Sequence, residues 1–405
     1  MVMRTRFTRF LVCFGLTLLF FETAAHAQEF QKDSISKWDI NYGGKGIYFT
    51  APDNAFSLHI QSRLQFRFAT PSDNDPVTFN DFNDGENSVF KINRARLKVG
   101  GHAYKPWLKY YWEYELGRGN LLDFRVMIER WKWLNIKIGQ WKIEYTRERR
   151  ISSGAQQLVD RSILNRSFTV DRQQGVELYG RLEGRGAADV SYWAAVLTGA
   201  GRAATDNDDK NLMYFGRLQW NLLGDVLGFG GTSDLEIHQK PEALIAFSAV
   251  TNRSPFTRFS SSGGGFLTDF EQQEPGQYRI NQGNIETAFV YKGFSWQSEV
   301  HHKEILDKLN GGRTQLRGYY AQAGYFAHQA LSWWPKQLEV AARYANFNPD
   351  IDQPITLDEV SLAFNWFFNG HRNKLTAEVS SFDYENADNT LENELRFRLQ
   401  WDISF

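Results

Sequence analysis

Sulfur is scarce in this chain of 405 residues: it has four methionines, and Cys13 is its only cysteine. A single cysteine excludes an internal disulfide and a thiolate metal site. Its place inside an apolar run, rather than after one, also argues against a lipid-modified cysteine. Charge of one sign is lacking as well, with 46 Lys and Arg against 47 Asp and Glu. Nothing in that balance suggests nucleic-acid binding. Beyond the first 27 residues there is no apolar run long enough for a membrane-spanning helix, which excludes a helical membrane protein. Catalytic signatures are missing too. There is no HExxH, no GxSxG and no metal-spaced His/carboxylate group. His301 and His302 are adjacent, so on a strand their rings point to opposite faces. The DNDD at 206–209 lacks the glycine and the terminal Glu of a calcium loop. No catalytic residue, metal or cofactor is therefore expected. The GGKG at 43–46 lacks phosphate-loop spacing and reads as a flexible turn.

The N-terminus is informative. Arg4, Arg6 and Arg9 precede the apolar run FLVCFGLTLLFF (10–21), and Ala25 and Ala27 supply the small residues a signal peptidase accepts at −3 and −1. This predicts a signal peptide over 1–27 with cleavage before Gln28. Twelve apolar residues are too few for a retained anchor. Without residues 1–27, which hold three Arg and one Glu, 43 basic and 46 acidic residues remain, a net charge of −3.

Aromatic residues are plentiful: 13 Trp, 17 Tyr and 32 Phe. An exported chain that is polar on average and rich in aromatics fits an all-β transmembrane barrel. Period-two alternation carries that reading. In FSLHIQSRLQFRF (56–68), Phe56, Leu58, Ile60, Leu64, Phe66 and Phe68 share one face, while Arg63 and Arg67 lie on the other. In LRFRLQWDISF (395–405), Phe397, Trp401, Ile403 and Phe405 oppose Arg396 and Arg398. These runs match the roughly 9–11 residues of a tilted spanning strand, not the roughly 5–6 of a sandwich strand. Fourteen further candidates fall at 90–100, 107–116, 122–130, 133–141, 174–183, 188–197, 211–220, 242–251, 283–292, 293–304, 314–327, 336–346, 358–368 and 373–383. Sixteen antiparallel strands, an even number, place both termini in the periplasm. Residues 28–55 read as a short periplasmic lead-in and 56–405 as the barrel. Long polar connections after odd-numbered strands (69–88, 142–173, 198–210, 252–282) read as extracellular loops and short ones as periplasmic turns. The stretch 221–241 is the exception, a longer periplasmic turn. Tryptophans such as Trp107, Trp131, Trp133, Trp333 and Trp334 sit near strand ends, where headgroup-level girdles form.

The polar face of each strand would line the lumen. It carries Arg63 and Arg67, then Arg94, Arg96 and Lys98, and at the end Arg396 and Arg398, with carboxylates such as Glu113, Glu286, Glu299 and Glu339 on the same side. Barrel walls commonly pair such charges across strands. Two clusters stand out. Arg94, Arg96 and Lys98 stack three like charges on one face, which is unfavourable without compensating carboxylates or anions. The segment 142–173 bears Arg149, Arg161 and Arg172 among seven bases against four acids. As a loop folded inward it would make a basic constriction that favours anions.

The run IKIGQWKIEYTRERRISSGAQQLVDRSILNRSFTVDRQQGVELYG (136–180), together with NRARLKVGG (93–101), GYYAQAGYF (318–326), LEVAARYANF (338–347) and FNWFFNGHRNKL (364–375), resembles the phosphate-selective porin O and P family over about residues 40–405. The resemblance implies a 16-stranded porin of the Gram-negative outer membrane, usually a homotrimer. It also implies passive diffusion of small anions, phosphate or polyphosphate among them, past lumenal arginines and lysines. Arg94 and Arg96 match the family's second-strand basic motif; Arg149, Arg161 and Arg172 match its basic constriction loop. The acidic net charge and the alternating lumenal carboxylates depart from that pattern. The terminal Phe405 resembles the signal by which the barrel-assembly machinery recognises its clients. Two other classes remain open: a lipid-modifying barrel enzyme, which would need Ser, His and a carboxylate or carboxamide on the outer wall, and a plugged structural or adhesion barrel.

Overall fold

The alternation in the sequence is realised as one closed antiparallel barrel. A computed structural model describes residues 38–405 except 74–86, 185–187, 261–263, 268–269, 272–273 and 389. The expected signal peptide, with Ala25 and Ala27, the first part of the lead-in and most of the loop at 69–88 lie outside the described residues. A short hairpin, β1 (Asp39–Tyr42) and β2 (Ile47–Thr50), precedes the barrel. The wall begins with β3 (Phe56–Thr70), β4 (Val89–Ala103), β5 (Leu108–Glu115), β6 (Asn120–Ile128), β7 (Asn135–Lys142), β8 (Arg172–Leu182), β9 (Val190–Leu197) and β10 (Met213–Leu223). It continues with β11 (Glu242–Ser254), β12 (Tyr278–Tyr291), β13 (Phe294–Asp307), β14 (Arg313–Tyr325), β15 (Leu338–Asn348), β16 (Thr356–Asn369), β17 (Asn373–Glu385) and β18 (Leu391–Ser404). Each strand pairs with the next, and β18 pairs with β3 from Ser404↔Arg63 to Phe397↔Thr70, so the ring of sixteen closes. Closure removes the free edges that an open sheet would present.

Inside and outside are inverted relative to a soluble protein. On β16, Glu359, Ser361 and Asn365 are buried, whereas Val360, Leu362, Phe364 and Trp366 are exposed on the outer face. That outer apolar band is the lipid-facing surface of a spanning barrel. Register faults keep the two faces apart. Gln65 pairs with Arg94 but Phe66 pairs with Ile92, which leaves Asn93 as a bulge. Were Asn93 paired in a regular ladder, Phe90 and Ile92 would share the parity of Arg94 and point inward; bulged out, it lets them face out.

Among the described residues the connections 143–171 and 224–241 fold into the lumen, and Phe259 of a third, 255–277, pairs with Val170 of the first. The first, 143–171, contains α1 (Arg147–Arg150) and α2 (Leu164–Phe168). Its Tyr145, Ile151, Leu158 and Phe168 are almost fully buried, and Tyr145 and Phe168 join Ile280, Tyr320 and Phe347 of the wall in one apolar cluster. The second is 224–241, read from the sequence as a longer periplasmic turn. It instead reaches inward until the amide of Thr232 donates to the carbonyl of Ala155, 3.0 Å away in the first loop. Phe229 lies edge-on to Trp193 at 6.0 Å, beneath the guanidinium groups of Arg147, Arg150 and Arg217.

From Trp38 the described part of the lead-in forms the β1–β2 hairpin, with GGKG at its turn. Gly44 and Gly46 have φ of 75° and 124°, and a Cβ on Gly46 would stand 2.0 Å from the Ile60 carbonyl oxygen. β2 pairs with residues 57–60 of β3. β18 takes residues 63–70, so hairpin and final strand lie end to end along β3. They meet at Ser62, whose amide donates to the Phe405 carbonyl (2.7 Å) and whose carbonyl accepts from the Phe405 amide (3.0 Å).

Candidate channel constriction

The loop 143–171 crosses the lumen because the far wall offers acceptors for its backbone. Glu286 accepts from the Arg147 amide (3.0 Å) and Glu299 from that of Glu148 (2.7 Å). Glu378 accepts from Val159 (2.6 Å) and Glu359 from Ile163 (3.1 Å). Glu339 accepts from the Gln157 side chain (2.7 Å), and the wall ammonium of Lys303 donates to the Ser167 carbonyl (2.9 Å). Buried backbone amides need partners, and charged acceptors make the strongest ones. The lumenal carboxylates, which the sequence pattern left as generic counter-charges, thus hold the loop across the barrel. Several also neutralise neighbouring arginines: Arg217 binds Glu286, Arg343 binds Glu359, and Arg398 binds Glu378.

The sequence-predicted bases fall into two groups. Paired ones are Arg63 with Asp402 (2.8 Å), Arg67 with Asp160 (2.6 Å) and Asp73 (2.9 Å), and Arg96 with Glu113 (2.7 Å) and Glu115 (2.8 Å). Arg149 pairs with Asp171 (2.7 Å), Arg172 with Asp123 (2.5 Å), Arg396 with Glu394 (2.5 Å), and Arg398 also with Asp160 (3.0 Å). The second group has no ion pair among the described residues. Arg94 donates to Gln65 (2.7 Å) and to the side-chain oxygen of Asn93 (2.8 Å), both neutral. Arg161 donates to the carbonyls of Glu148 (3.0 Å), Arg149 (3.3 Å) and Ile151 (2.9 Å). Lys98 is half-buried on β4, facing the same side as Arg96. Lys142 and Arg166, which the candidate set omitted, join this group.

Of these uncompensated cations, Arg94, Arg161 and Arg166 line one cavity of about 100 Å³, with Arg149, Arg343 and Arg398 and the acids Asp160 and Glu359. A planar guanidinium presents donors in a fork that matches a tetrahedral or planar oxyanion. Six arginines and two acids thus surround this space, and its loop side is held in place by the carboxylates of the opposite wall. His301 and His302 point to opposite faces as expected: His301 is buried, stacked on Phe168 at 5.0 Å, and His302 is exposed. The lipid-facing Phe405 is half-exposed at the end of the closing strand. One contribution had only a faint trace in the sequence. The periplasmic connection carries VLGFGG (226–231), apolar and uncharged where a solvated turn would be polar, and this is the stretch that enters the lumen.

A family model described as phosphate-selective porin O and P matches residues 71–403. Among solved structures the chain is similar to an anion-selective porin from Comamonas acidovorans, with a TM-score of 0.57 and 9% identity over 86% of this chain and 100% of that one. It is similar also to the outer membrane channel DcaP of Acinetobacter baumannii (TM-score 0.53, 10% identity, 88% of this chain and 99% of that one). A third likeness is to outer-membrane expressed OmpT of Vibrio cholerae (TM-score 0.52, 8% identity, 87% and 98%). At these identities the likeness is one of fold. No curated protein matches the chain with significance.

Proposed function

This chain belongs to the phosphate-selective porin O and P family, a porin of the Gram-negative outer membrane, and we propose that its channel passes small oxyanions, phosphate among them, by passive diffusion. The observation that carries the proposal is how the charges are divided. The wall carboxylates are spent on loop amides and on their own arginines. Among the described residues Arg94, Lys98, Lys142, Arg161 and Arg166 form no ion pair, while the acids that reach the constriction, Asp160 and Glu359, are bound to arginines, which leaves a surplus of positive charge there. A mobile anion entering the barrel supplies the missing charge at several weak sites in turn. Such sites select without trapping, because conduction requires that the solute also leave. Arg63, Arg67, Arg96, Arg149, Arg172, Arg396 and Arg398 would border this path while bound to their acids, shaping it more than charging it.

The mature protein would begin at Gln28 after signal cleavage, be inserted by the barrel-assembly machinery through its Phe405 strand and assemble as a homotrimer, the usual state of the family. The contact between Thr232 and Ala155 favours one other reading, a barrel plugged by its own two loops. Planar-bilayer recording separates the two. Chloride-preferring current that phosphate blocks supports the anion channel. Cation preference without phosphate block refutes it, and the absence of current favours the plugged barrel.

A further inference from the structure

A second cavity, of about 330 Å³, is lined by the connections after β11 and β15, which face the cell exterior in the barrel orientation expected from the loop lengths. Its volume lies at the small end of ligand pockets, about 300–1,000 Å³. Half of its wall is aromatic and aliphatic, from Leu267 and Phe270 in the connection 255–277, Leu316 on β14, Phe347 on β15, Ile355 and, on β17, Tyr384; the other half is polar and includes Ser167, Thr314 and Gln353. Leu267, Phe270 and Ile355 are only partly buried, packed against a fully buried apolar cluster, so they face an open space and do not complete a core. The two cavities share Arg166.

Strand geometry fixes their offset. Arg343 lines the basic cavity and Phe347 the apolar one on the same face of β15; Phe382 and Tyr384 do the same on β17. Four and two residues along a strand correspond to about 13 and 7 Å. The shorter offset is the span of one ring and its substituent. Asp350 also lines the apolar cavity. Its carboxylate disfavours an anion there and turns the charged end of a solute toward Arg166.

We infer that this vestibule is a binding subsite for solutes that join a single aromatic ring to one oxyanionic group, the ring held between Leu267, Phe270, Ile355 and Tyr384 and the oxyanion presented to Arg166 above the constriction. The inference rests on the anion-channel reading and narrows its substrate class. Aromatic walls favour a ring through edge-to-face and offset contacts, while the unpaired guanidinium rewards its charge. A small inorganic anion uses only the lower part of the site.

The test uses the full-length protein in planar bilayers carrying a chloride current, with phenyl phosphate, methyl phosphate and inorganic phosphate as blockers. Phenyl phosphate is expected to reach half-block at a concentration at least tenfold lower than methyl phosphate, which has the same charge without the ring. It should also act more strongly from the extracellular chamber. The double variant Leu267→Ser/Ile355→Ser should bring the two esters within about threefold of each other with its open conductance unchanged, tenfold being about 1.4 kcal/mol. Equal block by both esters, equal block from both chambers, or a preference that survives the double variant overturns the vestibule, while phosphate block leaves the anion channel standing. A cation-preferring current that no phosphate blocks removes the reading beneath it. Sidedness on the unaltered protein decides the matter if the double variant does not assemble.

Discussion

Replacing Arg94 and Arg166 by glutamine removes two uncompensated charges from the lining of the constriction while keeping side-chain length. Both residues border the same small cavity, so a permeating anion comes within several ångströms of each. At about 7 Å in a water-like dielectric, one charge is worth about 0.6 kcal/mol. With a Debye length of about 10 Å at 0.1 M salt, roughly half of that survives. About 0.3 kcal/mol raises the anion and lowers the cation by about 1.7-fold each, since RT is about 0.59 kcal/mol. The chloride-to-potassium permeability ratio therefore falls about threefold per charge, and about seven- to eightfold for the pair, at 0.1 M. At 1 M, where the Debye length is about 3 Å, the same pair should change the ratio by less than about twofold. The assay is the reversal potential across a salt gradient, at low and high mean salt. Arg96→Gln is the informative contrast. It removes the same charge but strands Glu113 and Glu115, its partners at 2.7 and 2.8 Å. Breaking a buried pair costs about 3–5 kcal/mol, less where the lumen admits water. Detergent thermal denaturation should show Arg96→Gln melting earlier and the Arg94/Arg166 double variant unchanged. A double variant with unaltered permeability at 0.1 M refutes the assignment of these side chains to the conducting path.

Other expectations concern the elements that hold the pore. Glu359→Gln with Glu378→Gln weakens two charged anchors of the loop 143–171, each worth about 1.5–3 kcal/mol; single-channel recordings should show noisier and larger openings, and unaltered openings would mean that the loop is held by other contacts. His238, in the second inward-folded connection, is partly buried, which opposes its charge, but its hydrogen bond to Asp234 and the nearby Glu242 and Glu236 raise its pKa overall. Asp234 also accepts from the Gly293 amide at 2.7 Å, tying that connection to the next periplasmic turn. The clasp is therefore fully present below about pH 6.5 and lost as pH rises through the elevated value; gating noise should grow from pH 6 to pH 9, and His238→Ala should be noisy at both. Phe405→Ser keeps the backbone rung to Ser62 but removes the terminal ring. Heat-modifiability gels of outer membranes should show less folded barrel, with normal conductance in the fraction that folds; undiminished folding would remove Phe405 from the assembly signal.

The fold was legible because each spanning strand must keep lipid and lumen on alternate sides, and that demand is written at period two. All sixteen barrel strands stand where alternation put them, with ends displaced by a few residues. The hairpin β1–β2 escaped because DINY and IYFT are four residues each, too short for periodicity to register; only its GGKG turn was visible. The site was legible in kind but not in division. Arg94, Arg96 and Lys98 share a face, as the pattern implied, yet only Arg96 meets carboxylates. The register of β4 against β5 puts Arg96 opposite Glu115 and Lys98 opposite Glu113, but both carboxylates bind Arg96, and Arg94 lies beyond the last β4–β5 pair. The anchoring of the loop was invisible for a related reason. Glu286 meets the backbone of Arg147, 139 positions away, and a main-chain amide leaves no mark in a sequence.

The most direct test of the account is the zero-current potential of the unaltered protein in a bilayer across a potassium chloride gradient at low ionic strength. The division of lumenal charge predicts the sign of an anion-preferring channel, a preference that fades as salt rises toward 1 M. A potential of the opposite sign would mean that the wall carboxylates, and not Arg94, Lys98, Lys142, Arg161 and Arg166, govern what passes.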